Sequence, residues 1–247
     1  ADPAKWNFSG TFVDELVIIV LHKLIALYIC EKNKIMLKLD VFAGTIGNLT
    51  DARYFAAREA KWLGFNLDKM NPLSVSVMEV NAIKEWLDGV QIVGEFGDVS
   101  NSELAATVEN IGLDAVLAGP FTSKEAIEGI GVPVFKEVVI EKSMTEDELS
   151  GLLEEYEGNV AYFVLDFDKN KVYPGSAGFT KKYLSELSER FPLIVSFPWE
   201  LYGIDAATSD GKWSGILMRG GEEEKVGFKS FDDLDEILDY LEIEEEF

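Results

Sequence analysis

Cysteine and histidine are nearly missing from this chain of 247 residues: it has one of each, Cys30 and His22, both within the first 35 positions. From Met36 onward neither a thiol nor an imidazole is available, which excludes Cys/His zinc sites and Ser-His-Asp triads from the main body. A single cysteine also excludes a disulfide framework. Basic residues are scarce, 22 against 45 acidic ones, and the net charge of −23 repels phosphate. Neither a nucleic acid nor an anionic membrane surface is therefore an expected partner. The apolar run from Val17 to Ile29 is interrupted by His22 and Lys23 and falls short of the roughly 20 residues that a spanning helix needs. Asp14 and Glu15 before it and Cys30-Glu31-Lys32 after it do not fit a signal peptide, which has a positive start and a small-residue cleavage site. We expect residues 1–35 to be a non-native or upstream-translated leader, with an extra helix closing one end of the domain, or a membrane anchor, as the alternatives. Met36 is the natural start of the domain, and the expected location is cytoplasmic.

With 47% apolar residues the chain has ample material for a buried core. From Met36 on, short β-branched or aromatic runs alternate with amphipathic segments. The pattern predicts strands near 37–43, 61–67, 90–96, 114–118, 132–138, 160–167, 192–197 and 214–219. Capping boxes open helices between them: Ser100 with Glu103, Thr122 with Glu125 and Thr145 with Glu148. The last helix carries Phe231, Leu234, Ile237, Leu238 and Leu241 as a core-facing stripe. Eight strand-then-helix units over 36–247 predict a single-domain α/β fold, a (β/α)8 TIM barrel. A doubly wound open sheet competes, but no glycine-rich dinucleotide fingerprint follows the first strand.

In such a barrel, strand side chains alternate between the interior and the helix layer, and working groups sit at the C-terminal strand ends. If Leu37, Leu39 and Val41 face the helices, Lys38 and Asp40 point inward. In the sixth strand Tyr162, Val164, Asp166 and Asp168 share one face, which puts a carboxylate at the mouth. An inward carboxylate is expensive to bury, so Asp166 and Asp40 are either solvated, paired with lysine, or functional.

Several segments, in order and spacing, resemble one enzyme family. They are Ile46-Gly47-Asn48-Leu49-Thr50-Asp51-Ala52-Arg53-Tyr54, Leu63-Gly64-Phe65, Val93-Gly94-Glu95-Phe96, Gly112-Leu113-Asp114-Ala115-Val116, Val134-Phe135-Lys136 and Val164-Leu165-Asp166. The last unit adds Gly220-Gly221-Glu222 and Gly227-Phe228-Lys229. Together they are similar to the phosphoribosylanthranilate isomerases of tryptophan biosynthesis. The resemblance implies a (β/α)8 barrel that performs an Amadori rearrangement of a phosphoribosyl amine. It also implies a cysteine general base on strand one and an aspartate general acid on strand six. Ring opening needs a proton at the furanose oxygen, and enol formation needs a base at the sugar C2′ position.

Carried across, Asp166 matches the acid and Lys136 the strand-five lysine. The cysteine is absent: its position falls at Gly44 in one alignment and at Asp40 in another, and Asp40 is the candidate base because a carboxylate can replace a thiolate in that role. The arginine that meets the anthranilate carboxylate falls at Leu73, and the strand-four Gln-Leu-His-Gly reads Leu117-Ala118-Gly119-Pro120. For phosphate, Ser196-Phe197-Pro198-Trp199 stands where a glycine pair belongs, and Pro198 has no N–H to donate. Arg219, Gly220 and Gly221 remain as candidate substrate-binding residues, able to hold an anion by fork and amides, although Glu222, Glu223 and Glu224 oppose one.

The expected activity is thus isomerase-like, an intramolecular oxidoreduction of a phosphorylated or acidic sugar-amine by a two-carboxylate acid/base pair, with a small-molecule partner and no cofactor or metal. A non-catalytic barrel that binds a ligand or a protein is the alternative. A third reading has Asp40, Glu95, Asp98 and Asp166 holding Mg²⁺, against Glu95 and Asp98 being solvated loop acids.

Overall fold

The computed structural model describes residues 36–176, 178–220 and 231–243, so the leader lies outside the described residues. Eight parallel strands close into a barrel in sequence order. They are β1 (Asp40–Gly44), β2 (Trp62–Asn66), β3 (Gln91–Phe96), β4 (Ala115–Ala118), β5 (Val134–Val139), β6 (Tyr162–Asp166), β7 (Leu193–Ser196) and β8 (Gly215–Arg219). Between and after them run α1 (Leu49–Ala57), α2 (Val77–Lys84), α3 (Asn101–Ile111), α4 (Lys124–Ile127), α5 (Glu146–Tyr156), α6 (Lys181–Arg190), α7 (Trp199–Tyr202), α8 (Ile204–Ser209) and α9 (Asp232–Leu241). All eight expected strands are present, and the chain has the (β/α)8 fold.

Two of the three expected caps form where the sequence places them. Thr145 and Glu148 exchange side-chain and backbone bonds at the start of α5, and Ser100 accepts from the Glu103 amide at the start of α3. At α4 the cap is Ser123 instead, accepting from the Ala126 amide, because the Thr122 hydroxyl donates to the Gly97 carbonyl at 2.5 Å. A further box, Ser76 with Glu79, opens α2.

Alternation along the strands divides the apolar residues into two populations. One packs under the helices. The other fills the barrel interior and includes Phe42, Trp62, Val93, Phe135, Val164, Ile194 and Leu217, with Tyr162 packed against it. Phe135 is its hub, in edge contact with Phe42, Trp62 and Tyr162 at ring separations of 5.9, 5.3 and 5.0 Å.

The first strand begins at Asp40 rather than Leu37 because the preceding residues serve a different bond. Leu37 bridges Glu242 antiparallel, the Lys38 amide donates to the Leu241 carbonyl at 2.8 Å, and the Lys38 ammonium donates to the Tyr240 carbonyl at 2.9 Å. Arg58, at the C-cap of α1, pairs with Asp239 and, at 3.1 Å, with Glu242, while the Tyr54 hydroxyl donates to Asp235 at 2.7 Å. The first and last units are thereby stitched together.

Truncating the interior hub, Phe135→Ala, is expected to lower unfolding free energy by about 3–5 kcal/mol, because a rigid closed barrel cannot collapse into the void. Denaturant unfolding with an unchanged slope checks it.

Candidate active site

Because Phe42, Val93, Phe135, Val164 and Leu217 point inward, residues two positions further along their strands point inward at the C-terminal rim. These are Gly44, Glu95, Glu137, Asp166 and Arg219. Of these, Glu95, Glu137 and Arg219 line a cleft of about 1020 Å³ at the barrel mouth, whose rim includes Leu73, Pro120 and Phe121, and Asp166 lies buried against Arg219.

Arg219 organises this group. Its Nη2 donates to Asp166 Oδ2 at 2.6 Å and lies 3.4 Å from Glu137 Oε1. Lys169, three residues past β6, places its ammonium 2.5 Å from Glu137 Oε1 and 3.9 Å from Asp166 Oδ2. The Lys169 amide donates to the other Asp166 oxygen at 2.9 Å. Asp166 is fully buried, and both its oxygens are engaged.

Glu95 is held differently. It is 8% exposed, and among the described residues no cation comes within ion-pair distance of it. Its Oε1 accepts from the Thr45 amide at 2.7 Å and its Oε2 from the Thr45 hydroxyl at 3.1 Å. Gly44 and Gly64 leave the space its carboxyl fills: a Cβ at either position would crowd Glu95 Oε1. Burial pushes the Glu95 carboxyl above the ordinary carboxylate range; the Thr45 amide and Arg219 oppose this, and Glu137 adds to it. A buried carboxyl with a raised pKa beside an ion-paired one is a combination suited to proton transfer.

Asp40 requires a correction. Its strand phase is inward, but it opens β1, in register with Gly215 at the start of β8, whereas Gly44 pairs with Arg219. Four residues of strand separate it from the mouth, roughly 13 Å. There it is half-exposed and bonded to Lys61 at 2.5 Å, and Lys38 is engaged elsewhere. Lys136 also differs from expectation. It shares the phase of Val134 and Val138 and faces the helix layer, where its ammonium donates to the carbonyls of Gly119, Thr122 and Pro120 at 2.6, 2.9 and 3.1 Å. Burial pushes it down to about 8, opposed by Glu137 and Glu155. It pins the loop after β4 and does not reach the cleft.

Arg219 is at the mouth, but its guanidinium is directed at Asp166 and Glu137. Gly220 lines the cleft, and Gly221 lies outside the described residues. Glu95 is a buried interior group, not a solvated loop acid, while Asp98 is exposed. Among the described residues no group of three or more His, Cys, Asp or Glu side chains is arranged to hold a metal ion. No described helix is long and apolar enough to cross a membrane.

Sequence reasoning missed Glu137 and Lys169 and misjudged Glu95. The inward phase of Val93 and Phe135 was the available signal for the two glutamates. After β7, Phe197 is fully buried, stacked on Phe167 at 4.9 Å and packed near Tyr202 and Trp213 at 5.2 and 6.2 Å. An apolar cluster thus fills the loop where the resemblance implies backbone amides for phosphate.

No family model and no curated protein matches the chain. Among solved structures, phosphoribosylanthranilate isomerase from Thermus thermophilus aligns with a TM-score of 0.65 and 22% identity over 82% of this chain and 98% of that one. The enzyme from Thermotoga maritima aligns with a TM-score of 0.63 and 21% identity, over 81% and 97% of the two chains. A phosphoribosylanthranilate isomerase in complex with reduced 1-(o-carboxyphenylamino)-1-deoxyribulose 5-phosphate aligns at 0.63 and 20%, over 81% and 96%. The chain therefore has the fold of these isomerases.

Two outcomes follow from the geometry. Lys136→Met leaves three carbonyl acceptors without their donor and is expected to destabilise the fold by about 3 kcal/mol, read by denaturant unfolding. Glu95 is protonated more readily folded than unfolded, so its contribution to stability is full below the unfolded pKa, about 4.3, and is lost as pH rises through the higher folded value. Glu95→Gln is accordingly expected to be more stable than wild type near about pH 8, with the gap closing toward about pH 4 in thermal melts.

Proposed function

We propose that the barrel is an isomerase-like enzyme acting on a small sugar-amine by acid/base transfer at the mouth, with Glu95 as the acid and Glu137 as the base. The observation that carries this reading is the buried Glu95 carboxyl, raised above its ordinary range, on the same cleft floor as a glutamate paired with Lys169 and Arg219. In an Amadori-type rearrangement, Glu95 would give its proton to the ring oxygen as the C1–O bond breaks. Glu137 would then take the proton from C2 as the enolamine forms; returning that proton to C1 while the C2 hydroxyl proton passes back to Glu95 yields the ketose, with both carboxyls restored and no net change in redox state. Asp166 holds Arg219 and, through it, the base; this is a positioning role in place of the acid role that the resemblance implies.

An unphosphorylated substrate suits this mouth better than a phosphorylated one. Arg219 already meets two carboxylates through Nη2, leaving Nη1 as its one unpartnered donor among the described residues, the loop after β7 is filled by Phe197, and Asp68, Glu79 and Asp168 add negative charge around the cleft. A second reading, a non-catalytic ligand-binding barrel, is favoured by one observation: Asp166 is fully buried with both oxygens engaged, so it offers nothing to a ligand.

The test is a panel of N-substituted glycosylamines, with and without a terminal phosphate, incubated in D₂O and followed by NMR. Ketose formation is expected with unphosphorylated members, falling by about 10²-fold or more in Glu95→Gln and in Glu137→Gln. Preference for the phosphorylated members would overturn the substrate assignment. Saturable binding without turnover would favour the non-catalytic barrel.

A further inference from the structure

Thr45 is the first residue after β1, and its φ is 56°, in the left-handed region. A β-branched side chain avoids that region because its Cβ substituents crowd the backbone. Glycines stand nearby at Gly44 and Gly47, yet neither has a positive φ; the turn puts its strained conformation on the threonine. In that conformation one residue reaches both oxygens of a single carboxyl, with its amide 2.7 Å from Glu95 Oε1 and its hydroxyl 3.1 Å from Oε2. The carboxyl itself rests in space that Gly44 and Gly64 leave clear.

We propose that Thr45 is a positioning residue, its strained backbone aiming two donors at Glu95 and so fixing the orientation of that carboxyl at the mouth. The proposal rests on the reading of Glu95 as the proton carrier. Sterically, Gly44 and Gly64 prevent collision with the carboxyl but cannot direct it, and among the described residues no cation pairs with it. The two Thr45 bonds are therefore what holds its direction. Electrostatically, both donors favour the charged carboxylate and so moderate the effect of burial. The charged groups facing Glu95 are Arg219 of β8, which acts in the same sense, and Glu137 of β5, which acts against it. The adjacent β2 and β4 present only uncharged Gly64, Asn66 and Leu117. Strained φ values at non-glycine residues persist where surrounding contacts over-determine them, and they cluster at working sites.

The experiment follows the Glu95 carboxyl by ¹³C NMR across a pH titration of the full chain, with Glu95→Gln assigning the resonance. Thr45→Gly keeps the amide donor, relieves the strain and removes the hydroxyl. It is expected to fold at least as stably while the Glu95 midpoint rises by about one pH unit, the effect of losing one donor to a charged group. Thr45→Ser restores the hydroxyl and is expected to return the midpoint to its wild-type value. An unchanged midpoint in Thr45→Gly, or an equal rise in Thr45→Ser, would overturn the proposal, whereas a purely structural threonine would alter melting without moving the titration. The two readings fail separately. A wild-type Glu95 titrating in the ordinary range would remove it as the acid, while a Thr45-dependent midpoint without turnover of any glycosylamine would leave the positioning role intact and count against the isomerase.

Discussion

A closed barrel can admit ionised groups to its interior only if they arrive with partners, and here the partner is Arg219. One guanidinium on β8 meets Asp166 of β6 and Glu137 of β5, so three strands are joined across the lumen by charge as well as through the ladder. Removing one member of such a group leaves the others buried without compensation, a far larger loss than the net contribution of the intact set. The floor of the mouth must therefore vary as a unit: Arg219, Asp166, Glu137 and Lys169 make sense together and not singly. Below this layer the interior changes from ionic to aromatic within two residues of strand, at Phe135 and Phe42.

The same constraint shapes the described part of the mouth. Arg219 meets both neighbouring carboxylates through Nη2, while its buried Nη1 has no hydrogen-bond partner among the described residues. On the adjoining side, after β7, Phe197 stacks on Phe167 in a buried aromatic cluster. The cleft combines carboxylates with the donors of Lys169, Arg219, Asn66 and Asn71 and an apolar rim at Leu73, Pro120 and Phe121.

The architecture was legible in the sequence because it depends on local patterns: strand runs, caps and the spacing between them. The inward phase of Asp40 was legible too, since alternation is a property of the strand alone. Its height was not, because Leu37 and Lys38 look like strand yet are bonded to the end of α9, which moves the start of β1 to Asp40 itself. Lys136 failed for another reason. In Val134-Phe135-Lys136-Glu137-Val138 both faces carry one charge and apolar neighbours, so periodicity cannot choose between them. The choice is made by three carbonyls from the loop after β4, a contact no local pattern encodes. Glu95 depends on glycines located on two other strands, and only the assembled barrel shows that the three belong together.

The bridge between Leu37 and Glu242 has a consequence for how the chain is ordered. Since β1 also pairs with β8, the eight described strands form a closed ring in which none is an edge strand. A circularly permuted chain, joined across that bridge and reopened in an exposed loop, would thread the same ring without moving any residue at the mouth. Topologically, the first unit is as interior as the fourth.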